Sequence, residues 1–120
     1  MVMPVKDNIL IDKSIAFAAR IIKLNQYLVQ SKKESVISKQ IVRSGTSIGA
    51  NINEANYGHS RADFISKLHI ALKETAESEY WLELLIEGGY CADKAVLEHC
   101  SELKRLLIAS LNTAKGKQQT

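Results

Sequence analysis

Glutamate is the residue type whose spacing most invites a chemical reading in this chain. Glu74, Glu77, Glu79, Glu83 and Glu87 crowd one short stretch. Carboxylates inside a helical bundle hold a di-metal centre when Glu-x-x-His pairs project from two helices. No glutamate here has histidine three positions later. Glu74-x-x-Glu77 alone resembles one of the carboxylate pairs by which helical nucleotide hydrolases hold magnesium. Such a site needs a second acidic pair on the following helix, where Glu98 and Glu102 are followed at that spacing by Ser101 and Arg105. A solvated face paired with Lys67 and Lys73 accounts for these glutamates better. Glu79 differs, because its helical angle sets it beside Leu72, Leu82 and Ile86. A buried acid needs a partner, and the expected one is Ser, Thr or Asn of the second helix, or Arg43.

Other chemistries find less support. His59, His69 and His99 are scattered, and Cys91, His99 and Cys100 match no zinc spacing. There is no Gly-x-Ser-x-Gly elbow and no strand to carry a phosphate loop. Arg43-Ser-Gly-Thr-Ser47 falls in mid-helix, where backbone amides are already bonded. The sequence therefore assigns no catalytic residue, no metal ligand and no cofactor.

The elements that carry these residues are helices. From about Ile9 to Gln30 two adjacent apolar stripes run side by side. One holds Ile11, Ile15, Ala18, Ile22 and Val29; the other holds Leu10, Phe17, Ile21, Leu24 and Leu28. Together they cover about half the circumference, wider than the ~100° stripe of an ordinary surface helix. Such a helix is expected to pack on its own bundle and on something else. After the polar turn Ser31–Glu34, a second helix spans about Ser35 to Tyr57, with Ile37, Ile41, Ile48, Ile52 and Ala55 on one face. Its middle is small, and Gly45 and Gly49 each cost about 1 kcal/mol in a helix interior. Their retention points to close approach by a neighbouring helix.

Gly58 closes that helix, and Ser60-Arg-Ala-Asp63 reads as a capping box. A third helix follows over about Arg61 to Glu87, with Phe64, Leu68, Ala71, Leu72, Thr75, Leu82 and Ile86 facing the core. Gly88-Gly89 stops it, and Asp93 caps a fourth helix, Lys94 to Thr113, cored by Val96, Leu97, Cys100, Leu103, Leu107 and Leu111. Short connections make sequential helices antiparallel. The expectation is an all-α, up-and-down four-helix bundle forming one domain over residues 1–120.

Composition agrees. Hydrophobic residues are 46% of the chain, charged residues 24%, and Pro4 is the only proline. The N-terminus lacks the pattern of a signal peptide. Arg20 and Lys23 interrupt the best apolar run short of the ~18 residues that span a bilayer, so no membrane association is expected. Two cysteines fit reduced thiols in the cytoplasm rather than a disulfide framework. The ends, Met1–Asp7 and Ala114–Thr120, are expected to be disordered. Charge is uneven: residues 1–61 hold nine Lys/Arg and four acids, giving +5, and residues 62–120 hold seven and nine, giving −2. The first half is thus the one to attract polyanions.

The block Ile41-Val-Arg-Ser-Gly-Thr-Ser-Ile-Gly-Ala-Asn-Ile-Asn-Glu-Ala, the run Arg61-Ala-Asp-Phe-Ile-Ser-Lys-Leu-His-Ile-Ala-Leu-Lys-Glu and Glu77-x-x-Tyr-Trp-Leu closely resemble a bacterial family. This is the "four helix bundle protein" family, also described as proteins encoded by intervening sequences within large-subunit (23S) ribosomal RNA genes. The resemblance covers about residues 8–113. It implies a four-helix subunit assembling as a homopentameric ring, in a family whose function is largely unestablished and whose genetic setting points to nucleic-acid binding. A related family, the accessory protein of diversity-generating retroelements, is similarly a basic pentameric barrel that binds nucleic acid.

Two features of the residues fit a ring: the double stripe of the first helix and the small-residue seam of the second. The expected subunit contacts are Phe17, Ile21, Leu24, Leu28, Gly45 and Gly49. The expected contacts to RNA or DNA are Lys32, Lys33, Lys39 and Arg43, with Arg20, Lys23 and Arg61 further out. Lys32 and Lys33 lie in the first turn, at one end of the bundle, where a ring would repeat them around a rim. Aromatic platforms are few, so binding should be directed at the phosphate backbone. The rival expectation is a protein adaptor without nucleic-acid binding, presenting the acidic third helix to an unidentified protein partner.

Overall fold

The computed structural model describes residues 6–91 and 93–116, with side chains from residue 9 onward. Four helices account for nearly all of them: α1 (Lys6–Gln30), α2 (Val36–Asn56), α3 (Arg61–Glu87) and α4 (Lys94–Ala114). They run up, down, up and down. Each packs on its neighbour in sequence, and α1 closes the square against α4 more loosely than any other pair meets. Among the described residues no helix is long and apolar enough to cross a membrane.

Heptad spacing explains why these helices pack as they do. The buried positions of α1 are Leu10, Ser14, Phe17, Ile21, Leu24 and Leu28, and those of α3 are Phe64, Leu68, Ala71, Thr75, Ser78, Leu82 and Leu85. Steps of four and three alternate throughout both, the 3.5-residue repeat that keeps one seam facing a partner. This repeat corrects one expected core residue. Leu85 is fully buried, whereas Ile86 sits half-buried at the edge. An ideal 100° step drifts off the seam by the last turn, and Ile86 is the residue to which that drift leads.

The glycines of α2 lie where α1 comes closest. A Cβ on Gly45 would stand 3.1 Å from Ile21 Cγ1, and one on Gly49 would stand 2.8 Å from Ser14 Oγ. Ser14 is itself buried, and its hydroxyl donates to the Ile11 carbonyl at 2.8 Å. On the flank of α2 that meets α3, Ser44 and Ser78 share a buried hydroxyl bond of 2.8 Å. The expected close approach is present, and the neighbour is α1 of the same chain.

That placement corrects the expected subunit contacts. Phe17, Ile21 and Leu28 have no exposed surface, Leu24 is 9% exposed, and all four belong to the subunit's own core. Gly45 and Gly49 serve the α1–α2 seam rather than a surface. The other stripe of α1 is the one left outside: Ile15 is 61% exposed, Ile22 46% and Val29 41%.

The punctuation behaves as expected. Ser60 Oγ accepts from the Asp63 amide at 3.1 Å, and Asp93 Oδ1 accepts from the Ala95 amide at 2.8 Å. Gly89 takes φ +80°, a conformation open to glycine, directly after α3. Of the ends expected to be disordered, Met1–Val5 and Lys117–Thr120 lie outside the described residues. Lys6 and Asp7 belong to α1, and Ala114 closes α4.

Candidate functional site

The turn between α1 and α2 is built around Glu34, the acid of the polar run Ser31–Glu34. Glu34 is buried, and its carboxylate accepts from the amides of Val36 at 3.0 Å, Ile37 at 2.9 Å and Ser38 at 2.8 Å. Its own amide donates to the Leu28 carbonyl at 2.9 Å, and Ser38 Oγ donates to the Glu34 carbonyl at 3.0 Å. A carboxylate that takes up the free amides of a helix N-terminus is stabilised by them and by the helix dipole. Ser35 occupies the cap position without a side-chain bond. An acid just ahead of an apolar-periodic run is the signal that would have marked Glu34.

The electrostatic consequence matters more than the cap. The one acid of the turn points inward, while Lys32 and Lys33 are exposed at the end of the bundle. Lys33 adopts φ +56° to carry the chain around, and Lys32 Nζ lies 6.0 Å from the centre of the Tyr27 ring. Lys39, one turn into α2, and Lys23, two turns before the end of α1, are exposed too. Among the described residues Lys23, Lys32, Lys33 and Lys39 make no ion pair.

Arg20, Arg43 and Arg61, expected to contact nucleic acid, are engaged within the subunit. Arg43 pairs with Glu74 at 3.2 Å and also with Glu77, whose carboxylate accepts from Trp81 Nε1 at 3.0 Å. The glutamates considered for a metal thus face a guanidinium. Arg20 pairs with Asp93 at 3.4 Å, and Arg61 donates to the Ala114 carbonyl at 2.9 Å, closing the end of α4. Among the described residues, no three His, Cys, Asp or Glu side chains converge as a metal site would require.

Glu79 has partners, but from a different helix than expected. Its carboxylate accepts from Lys104 at 2.8 Å and Ser101 at 3.1 Å, both on α4. The α3 angle that sets Glu79 near apolar neighbours also turns it toward α4, away from α2 and Arg43. The hydrogen bond from Lys104 to Glu79 holds the ammonium above its ordinary value. Nearby, burial pushes the Cys100 thiol up to about 12, which keeps it protonated and poorly nucleophilic.

At the α1–α4 seam, His99 meets Phe17 edge-on with ring centres 5.4 Å apart. Burial holds its imidazole below the ordinary 6.5; Arg20 presses the same way, and Glu102 opposes them. The unfolded chain therefore takes up a proton near pH 6.5 that the folded bundle resists. The stability carried by neutral His99 is present above that pH and is lost as pH falls through the lower folded value. Urea midpoints should accordingly drop between about pH 7.5 and pH 5.5, and drop less in His99→Gln. Equal drops in both proteins would show that His99 does not carry the dependence.

Residues 6–109 match the family described as 23S rRNA-intervening sequence protein. The chain is also similar to a protein of unknown function from the S23 ribosomal protein family of Bacteroides thetaiotaomicron, whose structure has been solved. The two are 53% identical, with a TM-score of 0.88 over 90% of this chain and 99% of that one. No curated protein matches. With the match spanning all four helices, the chain belongs to the 23S rRNA-intervening sequence protein family.

Proposed function

We propose that this chain is a subunit of a homo-oligomeric ring, a pentamer, that holds RNA or DNA by its phosphates through the α1–α2 end of each bundle. No catalytic step enters this reading. The observation that carries it is the separation of charge at the turn. Glu34 is turned inward onto the α2 amides, while Lys32, Lys33, Lys39 and Lys23 remain exposed and unpaired among the described residues. Four lysines on one subunit make a weak site. Repeated around a ring, they become a dense cationic rim whose contacts act together.

The outer stripe of α1, exposed at Ile15, Ile22 and Val29 and partly buried at Ile11 and Ala18, supports the oligomer. Ile11, Ile15, Ala18, Ile22 and Val29 follow the same four-and-three steps as the inner seam, with Asn25 as the one polar member. A second heptad seam on the outside of a helix is suited to receive another helix. The adaptor reading gains nothing comparable. Glu74 and Glu77 are taken by Arg43 and Glu79 by Lys104, which leaves little free charge at the centre of α3.

Salt dependence tests the reading. With six or more phosphates neutralised, affinity for a structured RNA should fall roughly a thousandfold or more between about 50 and 200 mM salt. Absence of binding even at the lower salt would refute it.

A further inference from the structure

We propose that the groove between the second half of α1 and the start of α4 receives one unpaired base of the bound strand, so that the protein prefers single-stranded segments. The proposal rests on the nucleic-acid reading above and adds a site to it.

The groove has a volume of about 380 Å³, toward the small end of the ~300–1,000 Å³ range of small-ligand sites. Leu24 and Val96 form an apolar floor, both nearly buried. Tyr27, 45% exposed, stands at the rim, and Arg20 and Lys23 line the groove with it. Lys32 reaches the Tyr27 ring from the neighbouring turn, so the groove is continuous with the free lysines. Asp93 is the one acid in the lining. Its carboxylate is engaged by Arg20 at 3.4 Å and by the Ala95 amide at 2.8 Å, so Lys23 and Lys32 keep the local balance cationic.

An apolar floor, an aromatic face and flexible cations complement a nucleotide: a flat base with a phosphate on either side. Stacking on an aromatic ring is indifferent to base identity, because every base has a π-face. A duplex keeps its bases stacked inward and cannot supply one without unpairing it. The exposed apolar stripe does not compete for this space. Gly45 and Gly49 meet α1 through Ile21 and Ser14, and Ile15 and Ile22 adjoin these on the α2 flank. Lys13, Phe17 and Arg20 meet α4 instead. A ring closed through the stripe leaves the α4 flank open.

The test compares an oligoadenylate of about 12 nucleotides with an abasic phosphodiester chain of equal length and charge, both at low salt. The oligoadenylate should bind roughly fivefold to a hundredfold more tightly, the range of one base–aromatic stack. Tyr27→Ala should abolish that difference and Tyr27→Phe should keep it. Tyr27 is half exposed, so neither variant disturbs the core. Equal, salt-sensitive binding of both chains would overturn the pocket and leave the phosphate-binding reading standing. A preference that survives Tyr27→Ala would also overturn it, and binding of neither chain would overturn both.

Discussion

Phe17→Ala should destabilise the folded subunit by about 3–5 kcal/mol, the usual cost of truncating a fully buried phenylalanine. The ring has no exposed surface and packs edge-on against His99. Small domains have only about 5–15 kcal/mol to lose, so the urea midpoint should fall by a large fraction, with the slope of the transition little changed. The same variant distinguishes a core residue from a subunit contact. A core residue weakens folding at any protein concentration. A contact residue would leave helicity intact and lower the molar mass instead. Circular dichroism and light scattering on one sample separate these outcomes, and a mass loss without a stability loss would return Phe17 to the interface.

Ile15→Lys combined with Ile22→Lys should have the opposite signature. Both side chains are about half exposed in the isolated bundle, so replacing them disturbs little of its core. In the proposed ring the two ammonium groups would enter an apolar contact. Each unpaired charge there costs several kcal/mol, enough to weaken association by orders of magnitude. The wild-type protein should show the mass of a closed ring at micromolar concentration, and the double variant the mass of one chain with unchanged helicity. A wild-type mass equal to one chain would end the ring proposal. A double variant that stayed assembled would move the contact away from this stripe.

The contrast between those variants reflects what one helix's pattern contains and what only its neighbours supply. The four helices were legible because each carries a continuous apolar seam, and Gly58, Gly88-Gly89, Ser60 and Asp93 punctuate them. The small residues of α2 correctly signalled close packing. The two stripes of α1 were legible as stripes, but both follow a heptad step, and only packing against Gly45 and Gly49 decides that Ile21 turns inward. Side-chain partners were harder. Arg43 reads as a free cation until α3 places Glu74 and Glu77 beside it, and Glu79 reads as an isolated acid until α4 brings Lys104. Both depend on which helix lies across the bundle, which a one-helix angle does not contain. Glu34 was the missed local signal. Its charge looks like part of a mixed polar linker, yet three amides turn it inward and leave the lysines as the outer face.

Charge reversal at Lys32 and Lys33 inverts that outward face. The measurement is the dissociation constant of Lys32→Glu/Lys33→Glu for a structured RNA at about 50 mM salt, beside the wild-type protein. Both residues are exposed and make no ion pair among the described residues, so the variant should fold and assemble normally. Affinity should fall roughly a hundredfold or more, because each subunit's change is repeated around the proposed ring, and the salt dependence should become shallower. Unchanged affinity in a correctly assembled variant would refute phosphate binding by these lysines and place any nucleic-acid contact away from the α1–α2 end.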